Sequence, residues 1–132
     1  MVTNRLQWYQ ESNNLFTSNQ SGFRKHKSTI DQVVKLQDKI LKKFENKEYV
    51  LAVFIDFERA FDMLDIPTLL RKLQKHGVTG NMANWIENFL SNRTFQVQVG
   101  TEISHKLIQQ NGTPQGSVIS PLLFFIMINN IP

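Results

Sequence analysis

The chain has 132 residues, enough for one domain or a piece of a larger one, and 41% hydrophobic residues is enough for a packed core. Fifteen basic against eleven acidic side chains give a net charge of +4, mildly basic and compatible with a polyanionic partner. The absence of cysteine excludes a disulfide framework and a thiolate zinc site. No apolar run is long enough to span a membrane, and the first residues lack the apolar core of a signal peptide, so an intracellular location is expected.

Residues 2–11 set Leu6, Trp8 and Tyr9 among polar neighbours and predict a short amphipathic helix, broken by Ser12-Asn13-Asn14. Leu15 to Gly22 reads as a loop. A strong helix begins at Ser28, an N-cap whose partner three residues on, Asp31, completes a variant of the capping box. Ile30, Val33, Val34, Leu36, Ile40, Leu41 and Phe44 follow helical spacing. Residues 24–47 hold eight Lys/Arg against three acids, a local +5 that exceeds the whole chain's charge. Such a run is a solvated helix face or a nucleic-acid contact; Arg24-Lys25-His26-Lys27, short and dense at a helix entry, is the stronger candidate for contact.

Tyr49 to Ile55 is an unbroken apolar and β-branched run, which predicts a strand buried on both faces. It ends in a carboxylate, Asp56. An acid at the end of a buried strand is either a cap for the turn that follows or a ligand for a hard cation such as magnesium. Asp62 follows in the next turn, where it suits a cap or a structural ion pair.

Asp65-Ile66-Pro67 opens a further helix, with Leu69, Leu70 and Leu73 on its apolar side and Gly77 at its end. Thr79 to Ser91 predicts another, whose stripe of Met82, Trp85, Ile86, Phe89 and Leu90 is expected in the core. Then the period changes: Phe95, Val97 and Val99 alternate with polar residues as a half-buried strand, Gly100-Thr101-Glu102 turns, and Ile103 to Ile108 returns as a hairpin. Asn111 to Gly116 is a loop with two glycines and a proline. Ser120 is expected to cap a last, buried helix with Pro121 at its first position. The order predicts an α+β fold, helices packed on a small, mainly antiparallel sheet.

Three motifs resemble one family. Gln20-Ser21-Gly22-Phe23-Arg24 with Ser28-Thr29, Phe54-Ile55-Asp56-Phe57-Glu58-Arg59-Ala60-Phe61-Asp62, and Gly112-Thr113-Pro114-Gln115-Gly116-Ser117-Val118-Ile119-Ser120-Pro121-Leu122-Leu123-Phe124 are similar to the reverse transcriptases of non-LTR, LINE-like retrotransposons of the jockey type. The resemblance spans the chain in the family's order. It implies a right-hand polymerase, with residues 1–48 as fingers-side helices and 49–132 as the first half of the palm. It implies that Asp56 is a catalytic ligand of magnesium ions, that Phe57, Phe61, Gln115 and Gly116 contact the incoming nucleotide, and that Arg24, Lys25, Lys27 and Arg93 contact nucleic acid. Phe61 would select deoxynucleotides by leaving no room for a 2′-hydroxyl. Partners implied for the full-length protein are an RNA template, a DNA primer and deoxynucleoside triphosphates, acting in cytoplasm and nucleus. The family's aromatic-x-Asp-Asp motif, source of its other metal-binding carboxylates, is expected after this region; no aspartate follows Asp65. The chain is therefore expected to be a partial domain, inactive alone. The alternative is a catalytically inactive remnant with at most weak nucleic-acid binding.

Overall fold

The computed structural model describes residues 1–131, in two compact units: Met1–Phe16 with Arg59–Ile131, and Thr17–Glu58.

The first unit is built on helices. α1 (Val2–Ser12), α3 (Ile66–Lys75), α4 (Gly80–Leu90) and α5 (Ser120–Ile128) enclose the core, while α2 (Thr29–Glu45) belongs to the second unit. Leu69 and Leu73 lie one helical turn apart on α3 and are fully buried, with Leu6 of α1, Ile86 and Leu90 of α4, and Leu123 and Ile126 of α5. Asp65 starts α3 as its N-cap, its carboxylate accepting from the Thr68 amide at 2.9 Å, and the Thr68 side chain, then its amide, hold the carboxyl below the usual carboxylate range. Gly77 ends the helix region at φ 78°, a conformation that favours glycine, and a Cβ there would lie 2.6 Å from the Tyr9 hydroxyl and displace the tip of that side chain. Tyr9 donates to the His76 carbonyl at 3.1 Å, and the half-buried His76 has Nδ1 2.8 Å from Oε1 of the buried Gln10, which stitches α1 to the α3–α4 turn.

Helices α3 and α5 run in the same direction. Near their starts the Gly112 amide donates to the Leu64 carbonyl at 2.8 Å; near their ends Lys72 Nζ donates to the Met127 carbonyl. Lys72 thereby satisfies a carbonyl that α5 cannot pair internally.

The strands form one hairpin of two antiparallel pairs: β1 (Arg93–Phe95) with β4 (Leu107–Gln109), and β2 (Gln98–Val99) with β3 (Glu102–Ile103). Between the pairs Phe95↔Leu107 and Gln98↔Ile103, one strand advances three residues and the other four, which is a β-bulge on the returning strand. Ser104 holds it: its amide donates to the Val97 carbonyl and its hydroxyl accepts from the Val97 amide, both at 2.9 Å.

The α+β class and antiparallel pairing agree with the sequence reading, but no strand residue enters the core cluster, so helices pack on helices rather than on the sheet. The strand expected to be half-buried is largely exposed. On α4, Ile86 and Leu90 are buried as expected, while Trp85 stacks on Phe89 with ring centroids 5.2 Å apart and stays 43% exposed.

In the second unit, Ser28 and Asp31 form the expected capping box at the start of α2. None of the apolar residues of α2 is buried; Ile30, Val33, Val34, Leu41 and Phe44 are exposed. The strand expected over Tyr49–Ile55 does not form: residues 48–57 have no regular structure, and Leu51, Phe54 and Ile55 are exposed. A strand buried on both faces needs a ladder neighbour, and the four described strands pair only with one another.

Burial, then the Lys72 charge, lowers the affinity of His76 for a proton. The unfolded chain therefore binds a proton that the fold excludes. This contribution is complete above the ordinary histidine value of 6.5 and is lost as pH falls through it toward the lowered folded value. The unfolding temperature is expected to fall between about pH 7.5 and 5.5, and His76→Gln to flatten that slope, in thermal denaturation followed by circular dichroism.

Candidate functional site

The first unit joins two of the sequence motifs. Arg59 to Met63 is a turn: the Asp62 and Met63 amides both donate to the Arg59 carbonyl at 2.9 Å, and Arg59 itself sits in the left-handed region at φ 51°. Fifty residues on, the loop 111–116 lies against this turn. The Thr113 amide donates to the Phe61 carbonyl at 2.9 Å, and Gln115 Nε2 donates to both oxygens of the Asp62 carboxylate at 3.2 and 3.4 Å.

Gly112 explains how the two backbones come so close. At φ 85° it occupies a conformation that side chains rarely adopt, and a Cβ there would lie 2.7 Å from the Asp62 carbonyl oxygen. The far side of the loop is tied by Ser120, whose hydroxyl donates to the Pro114 carbonyl at 2.8 Å. This corrects the expected cap: the N-cap of α5 is Ile119, and Ser120, spent on the loop, is the first helical residue with Pro121 after it. Phe61 is half-buried and packs on Phe124 of α5, ring centroids 5.4 Å apart.

So Phe61 and the loop carrying Gln115 and Gly116 meet, with Gln115 and Gly116 exposed. Arg93 stands at the start of β1. Its guanidinium nitrogens are buried and make no hydrogen bond, and burial lowers its pKa. Asp56, Phe57, Arg24, Lys25 and Lys27 belong to the second unit. There Asp56 is exposed, on a segment without regular structure. Arg24 Nη1 donates to the Thr17 and Gln20 carbonyls at 2.9 and 3.2 Å, which folds the 17–24 loop, and Lys25 and Lys27 are exposed.

Asp62, expected as a cap or an ion-pair partner, instead accepts from the Gln115 amide. The glycine at 112 was its signal, since a loop glycine marks close backbone approach, but the sequence does not say to what.

Among the described residues no three His, Cys, Asp or Glu side chains gather as a metal cluster. Of the aspartates around this motif, Asp62 is engaged by Gln115 and Asp65 caps α3. Asp56 is an exposed carboxylate on a segment without regular structure, an oxygen donor of the hard type.

The family model for reverse transcriptase (RNA-dependent DNA polymerase) matches residues 1–132, and the chain belongs to that family. Among curated proteins it is 34% identical over its whole length to "Probable RNA-directed DNA polymerase from transposon BS" and 34% identical to the RNA-directed DNA polymerase from mobile element jockey, both of Drosophila melanogaster. A polyprotein from the type-1 retrotransposable element R2 of Popillia japonica is 28% identical over 78% of the chain. The chain spans about 14% of the length of the BS and jockey polymerases and 17% of the R2 protein. These matches bear out the jockey-type resemblance. No solved structure matches the chain. Among the described residues no helix is long and apolar enough to cross a membrane.

Gly112→Ala is expected to destabilise the first unit by about 2 kcal/mol or more, through a strained φ and a backbone clash. Urea denaturation measures this, and Gly116→Ala, where a Cβ meets nothing within 4 Å, is expected to cost less.

Proposed function

We propose that this chain is the part of an RNA-directed DNA polymerase of a non-LTR retrotransposon that carries the first metal-binding carboxylate and the nucleotide-facing loop. The observation that supports this most is the junction of two family motifs: the Pro114-Gln115-Gly116 loop hydrogen-bonded to the turn bearing Phe61 and Asp62. In this reading residues 1–48 are fingers-side and 49–132 are palm.

Each residue has a role its chemistry allows. Asp56 would hold magnesium, which supplies activation of the primer hydroxyl and charge neutralisation on the triphosphate when bound. Phe61, held by Phe124, presents a rigid aromatic edge that can exclude a 2′-hydroxyl. Phe57 flanks Asp56 and would border the nucleotide. Gln115 and Gly116, exposed on a pinned loop, offer an amide and an open backbone to nucleotide and template. Lys25 and Lys27, exposed beside Arg24, give phosphate contacts that position without reading sequence, and the buried guanidinium of Arg93 gains a partner if a phosphate reaches it. RNA template, DNA primer and deoxynucleoside triphosphates are the ligands in the whole polymerase.

In a polymerase reading frame containing this chain, Asp56→Ala is expected to lower magnesium-dependent primer extension by on the order of 10³-fold or more, while the 132-residue chain alone extends no primer. Activity retained in that variant overturns the assignment. Neutralising Lys25 and Lys27 is expected to weaken RNA binding and reduce the slope of log affinity against log salt by about two; filter binding at several salt concentrations measures it.

A further inference from the structure

Gln115 is an exposed side chain with three rotatable torsions, and an amide presents a donor on one side and an acceptor on the other. Left alone it would offer either to a ligand. It is not left alone: both oxygens of Asp62 lie on its Nε2, at 3.2 and 3.4 Å. An ionised carboxylate only accepts, so the amide nitrogen must face it, and the assignment of the two ends of the amide follows from chemistry. The backbone of Asp62 is itself held in place. Its amide donates to Arg59, and the Gly112 backbone lies against its own so closely that no Cβ fits between them.

We propose that Asp62 is a positioning residue for nucleotide binding: its carboxylate turns the Gln115 amide so that the carbonyl oxygen Oε1 is the atom offered to the ligand. The contact made by Gln115 is then an accepted hydrogen bond from a donor on the nucleotide. This rests on the reading of Gln115 as a nucleotide contact, and the test separates the two. It also gives Asp62 work that neither a helix cap nor an ion pair would do.

The test uses single-nucleotide incorporation by a polymerase reading frame containing this chain, with thermal unfolding run on every variant. Asp62→Ala is expected to raise KM for the nucleotide by about tenfold with kcat within about twofold. In a Gln115→Ala background the same change is expected to add nothing, because there is no amide left to orient. Gln115→Glu sets two carboxylates against each other and is expected to raise KM further. The pair Asp62→Asn with Gln115→Glu restores a donor facing an acceptor, keeps an oxygen toward the ligand, and is expected to recover KM to within about threefold of the parent. A residue that merely stabilised the turn would show no such recovery. If Gln115→Ala raises KM but the effects of the two alanines multiply, or the exchanged pair stays as poor as Gln115→Glu, the positioning role is overturned. If Gln115→Ala leaves KM unchanged, the reading of Gln115 falls, and the proposal with it.

Discussion

The packing of α5 on α3 is the constraint from which the arrangement of the first unit follows. Leu69 and Leu73 are buried against a helix that is apolar almost all round, with Leu123 and Ile126 buried in turn. Two helices that pack side by side and run the same way bring their entrances together. The entrance of α3 is the Phe61–Leu64 turn and the entrance of α5 is the loop 112–116. Apolar burial is non-directional, so it brings the two entrances near each other but does not set their register. Directed bonds do that: Gly112 to Leu64, Thr113 to Phe61, Gln115 to Asp62 and Ser120 to Pro114.

Much of this was legible in the sequence because it depends on neighbours a few residues away. The Ser28–Asp31 capping box, Asp65 with Pro67, and the hairpin turn after Val99 are local chemistry, and each forms as read. The differences have separate causes. A strand is a property of a pair, so the composition of Tyr49–Ile55 predicts a partner that the described residues do not supply. Ser120 has the residue type of a cap, but its hydroxyl has a better acceptor across the loop in Pro114. Arg24, expected to contact nucleic acid, also has a local partner set that the sequence did not show: its Nη1 donates to the Thr17 and Gln20 carbonyls. For the candidate site, the identity of the motifs could be read directly, but the bond between Asp62 and Gln115, 53 residues apart, could not.

The exposed apolar stripe of α2 and the exposed run from Tyr49 to Phe57 share one property: hydrophobic pattern without burial. Pattern states what a segment can bury, and burial requires a surface to meet. The helix forms nonetheless, because its capping box and the Lys42–Asp38 pair at 2.8 Å are internal to it.

The first unit is discontinuous in the chain. Helix α1 joins a core whose other members begin after residue 59, so its docking closes a loop formed by the whole second unit. The entropy of closing such a loop grows only with the logarithm of its length, about 0.6 kcal/mol per doubling. Residues 17–58 can therefore vary in length with little effect on the stability of the core. The burden falls on kinetics: α1 precedes α3 and α4 in the chain and docks only after they have been made, so Leu6, fully buried in the finished core, remains wet until then.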